Sequence, residues 1–110
     1  MVPMREIARL VGGTLVGDGA LAPTGYAADS RRAGPGDLFF ALPGAQTDGQ
    51  RFLADAFARG AVAAVVSDRT LRPPAGRCLV CVDDVQEALQ ALAVAWRARF
   101  RVPFVAITGS

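Results

Sequence analysis

Two short polar sequences in this chain contain the residue types that bind phosphorylated ligands. The first is Asp29-Ser30-Arg31, which combines a carboxylate, a hydroxyl and a guanidinium. An arginine fork beside such groups can hold a phosphate or another polar ligand, and ligands of open α/β sheets bind where strands end. The same residues also fit a turn closed by an internal Asp–Arg ion pair, so the local chemistry leaves both interpretations open.

The second sequence lies at the end of the chain, where Val105-Ala106-Ile107 runs into Thr108-Gly109-Ser110. A buried strand followed by Thr-Gly-Ser is how a phosphate-binding loop begins, because glycine allows backbone N–H groups to point at the phosphate. The lysine of that loop is not among these 110 residues. On its own, the pattern is also consistent with a plain turn.

Two further patterns favour structural roles. Cys78 and Cys81 have the spacing of a zinc or redox motif, but side chains three apart in a strand point to opposite faces. The chain has no histidine and no second cysteine pair to complete a metal site, so we expect two packed core thiols. Asp83 and Asp84 could form a magnesium site, but at a strand-to-helix junction a cap plus a solvated charge is the more usual arrangement.

Composition excludes several function classes within these residues. The chain has 110 residues, of which 52% are hydrophobic, and a net charge of +2. The chain is long enough to form one domain with a hydrophobic core. The excess of positive charge is too small for a surface that binds nucleic acid or a membrane. All 12 basic residues are arginine and none is histidine or lysine, which excludes an imidazole base, a Schiff base and a phosphate-loop lysine here.

The apolar runs of the sequence are too short to span a bilayer. The first residues lack the apolar core of a signal peptide, and two cysteines without a secretion signal indicate reduced thiols. We therefore expect a cytoplasmic protein without membrane insertion.

The hydrophobic pattern predicts an α/β domain, with a small mixed, partly parallel sheet flanked by helices. The run 38–42 is apolar at every position and predicts a strand buried on both faces. The third helix carries Trp96 and Phe100, which we expect in a core or a domain interface. The predicted strands are 14–16, 26–28, 38–42, 61–66, 78–82 and 104–108, and the predicted helices are 4–11, one around 52–60, and 84–100.

An ordered set of motifs closely resembles the N-terminal part of the Mur ligases of bacterial peptidoglycan synthesis, and 29–44 is its most specific stretch. The resemblance covers nearly the whole chain. Two branches of the family share this stretch, one that adds D-alanyl-D-alanine and one that adds the third peptide residue. The helix around 85–93 and the final Thr-Gly-Ser are more similar to the first of these branches. The motifs are Asp29-Ser30-Arg31, residues 35–44, Asp48-Gly49, Phe52, Gly60-Ala61, Val82-Asp83-Asp84, Ala88-Leu89 and Ile107-Thr108-Gly109-Ser110.

The resemblance implies a division of labour within an ATP-dependent, peptide-bond-forming ligase. Residues 1–83 would bind the UDP end of UDP-N-acetylmuramoyl-peptide, and residues 84–110 would lead into the ATP-binding central domain. The phosphate-loop lysine, the magnesium ligands and the C-terminal domain would lie elsewhere in the parent enzyme, which uses ATP and Mg²⁺. The 110 residues alone are then expected to be inactive in ligation and to bind neither cofactor. The alternative is an interaction module without enzymatic function that kept this fold.

The resemblance also assigns individual residues, none of them catalytic and none a metal ligand. The expected contacts to the UDP portion are Ala28, Ser30, Ala45, Gln46 and Thr47, and the expected start of the ATP phosphate loop is Gly109 and Ser110. Gln50 departs from the family pattern, in which histidine is frequent at this place, so any role of that histidine is in doubt here. We expect the strand ends near Asp29 and Gly44 to meet in one pocket.

Overall fold

The computed structural model describes residues 2–42 and 49–100, and within these ranges all side chains except those of residues 30, 49–51 and 96–100. The described residues form a five-stranded sheet in the order β1-β5-β4-β3-β2, in which β1 is antiparallel and the other four strands are parallel. The predicted mixed α/β fold is therefore confirmed. The elements are α1 (Met4–Val11), β1 (Thr14–Gly17), β2 (Gly25–Ala27), a 3₁₀ turn (Ser30–Arg32), β3 (Asp37–Phe40), α2 (Gly49–Ala58), β4 (Ala63–Val66), β5 (Cys78–Cys81) and α3 (Val85–Phe100).

The central strands are buried on both faces, because helices cover the sheet on each side. Alternate residues of each strand therefore enter two different cores. One core lies under α1 and α3 and includes Leu38, Phe40, Val65 and Val80; the other lies under α2 and includes Phe39, Val66 and Leu79.

The third helix begins where its sequence predicts. The Asp84 Oδ1 atom accepts a hydrogen bond from the Glu87 backbone N–H at 3.1 Å, which satisfies one of the free donors of the first helical turn. Val85, Ala88 and Leu92 then pack into the core that α1 also covers. The boundary between residues 83 and 84 stays a prediction.

Some element bounds differ from the sequence prediction. The helix predicted around 52–60 begins earlier, at Gly49, and ends at Ala58. Apolar spacing detects only the buried face of a helix, and the sequence Gly-Gln-Arg at 49–51 adds no large apolar residue to that pattern. The strand β3 ends at Phe40 and β4 begins at Ala63, so both are shorter than their apolar runs. The predicted strand 104–108 lies outside the described residues.

Among the described helices, none combines the length and the hydrophobicity that a membrane span requires.

Candidate nucleotide-binding groove

The pairing of β2 with β3 decides where the candidate site residues lie. The two strands are parallel, with Tyr26 opposite Leu38 and Ala27 opposite Phe39. Their carboxyl ends therefore meet at one edge of the sheet, which places Ala28 and Asp29 on the same side of the molecule as Ala41 and Leu42. The two strand ends thus share one edge of the sheet as far as Leu42, and Gly44 lies outside the described residues. That both ends line a single pocket stays a prediction.

A groove of about 660 Å³ runs beside β2. It is lined by the strand itself, by the residues after β2, by the start of β3 and by α3. The lining residues are Gly25, Tyr26, Ala27, Ala28, Asp29, Arg32, Asp37 and Leu89. Concave sites of this size, mostly apolar and with a few polar groups, are typical of small-molecule binding.

The Asp29-Ser30-Arg31 sequence forms a tight, charge-paired turn. The Asp29 Oδ1 atom accepts hydrogen bonds from the Arg31 backbone N–H at 2.9 Å and from Arg31 Nε at 3.3 Å, while Oδ2 accepts one from Nη2 at 3.2 Å. These hydrogen bonds to Arg31 lower the pKa of the Asp29 carboxyl group, and the same contact raises the pKa of Arg31. The internal ion pair is therefore present, and it lies at the end of the groove because Asp29 lines it.

The groove also contains a cation that the sequence analysis did not select. Arg32 lines the groove, and its backbone N–H donates to the Asp29 backbone oxygen at 2.9 Å. Its guanidinium forms no hydrogen bond or ion pair with the other described residues, although its charge helps to lower the pKa of Asp29. Leu89 contributes to the lining from α3. Arg32 could have been found as the next basic residue after the motif, whereas only the tertiary packing of α3 brings Leu89 here.

The predicted site residues are only partly described. Ala28 lines the groove, and the backbone of Ser30 begins the 3₁₀ turn that follows β2. The Ser30 side chain lies outside the described part of the structure, and so do Ala45, Gln46, Thr47, Gly109 and Ser110. The binding roles of all these residues stay predictions.

The other carboxyl ends of the parallel strands carry structural charges. After β5, Asp84 caps α3 and Asp83 pairs with Arg69 at 3.1 Å while its own side chain is 98% exposed. This confirms the interpretation as a cap plus a solvated charge. In the described part of the chain, no group of three or more His, Cys, Asp or Glu residues is arranged to hold a metal ion.

The two cysteines are packed thiols, as the strand geometry predicted. Cys78 lies in the core under α1 and α3, and Cys81 in the core under α2. Both are buried and unpaired with each other. Burial, with a smaller contribution from the charge of Asp18, raises the pKa of the Cys78 thiol to about 11, which makes it a poor nucleophile.

Comparison with known proteins identifies the family. A family model described as "Mur ligase family, catalytic domain" matches residues 24–97. The chain belongs to the Mur ligase family. It is 48% identical over 94 residues to the UDP-N-acetylmuramoyl-L-alanyl-D-glutamate–2,6-diaminopimelate ligase of Solibacter usitatus, covering 79% of this chain and 18% of that protein.

Both branches of the family are represented among its relatives. The chain is 40% identical over 84 residues to the UDP-N-acetylmuramoyl-tripeptide–D-alanyl-D-alanine ligase of Synechocystis, covering 74% of this chain and 18% of that protein. Its fold matches the solved UDP-N-acetylmuramoylalanyl-D-glutamyl-2,6-diaminopimelate–D-alanyl-D-alanyl ligase of Acinetobacter baumannii with a TM-score of 0.65 and 27% identity, over 88% of this chain and 22% of that one. The chain thus spans about a fifth of the length of these Mur ligases.

Proposed function

We propose that this chain is the substrate-recognition region of an ATP-dependent Mur ligase and that it binds the UDP end of UDP-N-acetylmuramoyl-peptide. The observation that carries the proposal is the groove along β2, in which Ala28 lies beside the Asp29–Arg31 turn at the carboxyl end of the strand. Family membership supports it, since the matched residues 24–97 contain this groove.

Several features of the groove support a nucleoside diphosphate as its ligand. Ala28 is small and exposed, so a planar base or a ribose can approach the backbone closely. Arg32 offers a guanidinium with no ion-pair partner among the described residues, and guanidinium groups bind phosphate with high geometric specificity. The Asp29 charge is compensated by Arg31, which reduces its repulsion of a diphosphate. These features favour an anionic ligand at the Asp29 end of the groove.

The proposal assigns binding, and not bond formation, to these 110 residues. The ATP loop would begin at Gly109 and Ser110, and ATP and Mg²⁺ would be held by the rest of the parent enzyme. The described residues serve to bind and orient the nucleotide end of the substrate, far from the peptide carboxylate that reacts. We therefore expect no ligation by this chain alone.

For the parent enzyme we propose addition of D-alanyl-D-alanine to UDP-N-acetylmuramoyl-tripeptide. The Acinetobacter baumannii protein that shares the fold is named as a D-alanyl-D-alanyl ligase, which supports this proposal. The second candidate is addition of the third peptide residue. It is favoured by the 48% identity to the Solibacter usitatus 2,6-diaminopimelate ligase. Both candidates use the same nucleotide end of the substrate, so the binding proposal is independent of this choice.

The binding proposal is tested by titrating the ¹⁵N-labelled chain with UDP and following the amide signals by NMR. We expect signals of residues 28–32 and 45–47 to shift with UDP, and ADP at the same concentration to produce much smaller shifts. Equal shifts with both nucleotides, or shifts confined to residues remote from the groove, would contradict a uridine site.

The choice between the two reactions requires the complete gene product. Phosphate release from ATP is measured with UDP-N-acetylmuramoyl-tripeptide plus D-alanyl-D-alanine, and separately with UDP-N-acetylmuramoyl-L-alanyl-D-glutamate plus 2,6-diaminopimelate. We expect turnover with the first pair. Turnover only with the second pair would support the other branch, and the absence of turnover with both would favour an interaction module.

A further inference from the structure

We propose that Asp29 is a positioning residue of the nucleotide groove, which acts by holding the Ser30–Arg32 turn in shape and does not itself contact the ligand. The inference rests on the proposed function, because it concerns the same groove. It assigns a role to a side chain that the family comparison leaves without one.

Asp29 closes the turn through two separate acceptors. Its side-chain Oδ1 atom accepts from the Arg31 backbone N–H at 2.9 Å, and its backbone oxygen accepts from the Arg32 backbone N–H at 2.9 Å. A side-chain acceptor two residues before the donor is the geometry with which aspartate stabilises a tight turn. One residue thus determines the direction of the chain just after β2.

The turn determines the shape of the groove. Ala28 precedes Asp29 and Arg32 ends the turn, and both line the groove. If the turn opens, the separation of Ala28 and Arg32 changes, and the groove loses the arrangement of a small contact surface beside a cation. The Asp29 carboxylate oxygens also accept hydrogen bonds from the Arg31 guanidinium at 3.2 and 3.3 Å. The carboxylate is negatively charged and already paired, so it is poorly suited to contact a diphosphate.

The chain contains a matched control for this turn. Asp68 follows β4, and its Oδ1 atom accepts from the Thr70 backbone N–H at 2.9 Å, with the same spacing of two residues. Asp68 also accepts from the Thr70 hydroxyl, as Asp29 accepts from the Arg31 side chain. The Asp68 turn does not line the groove, so its loss affects folding stability without affecting the nucleotide site.

The test uses two substitutions that separate geometry from charge. Asp29→Asn keeps an Oδ1 acceptor for the Arg31 amide and removes the charge, while Asp29→Glu keeps the charge and moves the acceptor by one methylene. The affinity for UDP is measured by calorimetry, and the urea midpoint is measured for each variant. We expect the UDP affinity of Asp29→Asn to stay within about twofold of the wild-type affinity. We expect Asp29→Glu to bind UDP about two- to tenfold more weakly, which is the range for the loss of one hydrogen bond.

The control variant changes the Asp68 turn, which has the same hydrogen bond but lies outside the groove. Asp68→Glu is expected to lower the urea midpoint as Asp29→Glu does, with unchanged UDP affinity. A loss of affinity in Asp29→Asn with retention in Asp29→Glu would overturn the inference, because the carboxylate charge would then be what the ligand needs. Unchanged affinity in both Asp29 variants would also overturn it. A wild-type chain that does not bind UDP would instead reject the proposed function together with the inference built on it.

Discussion

Replacing Gly60 with alanine tests how tightly the turn before β3 is held. Gly60 follows α2 with φ at +109°, and a Cβ built there would lie 2.8 Å from the Pro35 Cα atom and 3.0 Å from the Pro35 nitrogen. Both neighbours are backbone atoms, so they cannot turn aside as the end of a flexible side chain could. The Gly60 carbonyl also accepts the Gly36 N–H at 3.0 Å, which couples any shift to the start of β3.

The magnitude follows from two contributions. A non-glycine residue in a sparsely populated backbone region costs about 1–3 kcal/mol, and forcing backbone atoms apart in a packed region costs about 1–3 kcal/mol more. We expect Gly60→Ala to lower the free energy of unfolding by the sum of the two, about 2–6 kcal/mol. That is a large part of the 5–15 kcal/mol that is typical of a small domain.

The assay is urea unfolding with linear extrapolation, and Gly12→Ala is the matched control. Gly12 also has a positive φ, +69°, but a Cβ there would have no heavy atom within 4 Å. The control variant therefore carries only the conformational cost, about 1–2 kcal/mol. Equal losses in the two variants would show that Pro35 yields freely and would refute the steric part of the reasoning.

Three further predictions concern side chains at the carboxyl ends of the strands and in the core. Asp84→Ala should lower the free energy of unfolding by about 1 kcal/mol because it removes the cap of α3, whereas Asp83→Ala, whose side chain is 98% exposed, should leave the urea midpoint unchanged. The pKa of Asp29 is lowered in the folded state. Its contribution to stability is therefore full above the unfolded-state pKa of about 3.9 and is lost as the pH falls through the folded-state pKa. Between pH 5 and pH 2, the urea midpoint of Asp29→Asn should fall less than that of the wild type. Because the pKa of Cys78 is about 11 instead of 9.0, its thiolate population at pH 8 is about a hundredfold below that of an ordinary thiol. Iodoacetamide labelling followed by peptide mass spectrometry should therefore show slow modification of Cys78 in the folded chain and rapid modification in urea.

The architecture was predictable because the apolar runs report directly on burial. Residues 38–40 and 78–81 are continuously apolar, and both segments are strands buried on two faces. The opposite orientation of Cys78 and Cys81 followed from strand geometry alone. The cap at Asp84 was equally local, since aspartate before an apolar helix and three residues ahead of glutamate is a helix-start signal.

The groove was less predictable because it depends on contacts between distant segments. Leu89 reaches β2 only through the packing of α3, and no periodicity in the sequence encodes that approach. The local chemistry of Asp29 and Arg31 allowed either a ligand site or an ion pair. The structure contains the ion pair and places it at the end of a groove, and the interpretation as a ligand site stays a prediction.

The position of β2 at one end of the described sheet has a consequence for the behaviour of the protein in solution. An edge strand offers free backbone donors and acceptors to other chains, and long, flat edges promote aggregation. β2 has only three residues, and its first is a glycine, so it is a poor template for a strand from a second molecule. The edge that β2 forms in the described sheet therefore carries little risk of self-association through its backbone.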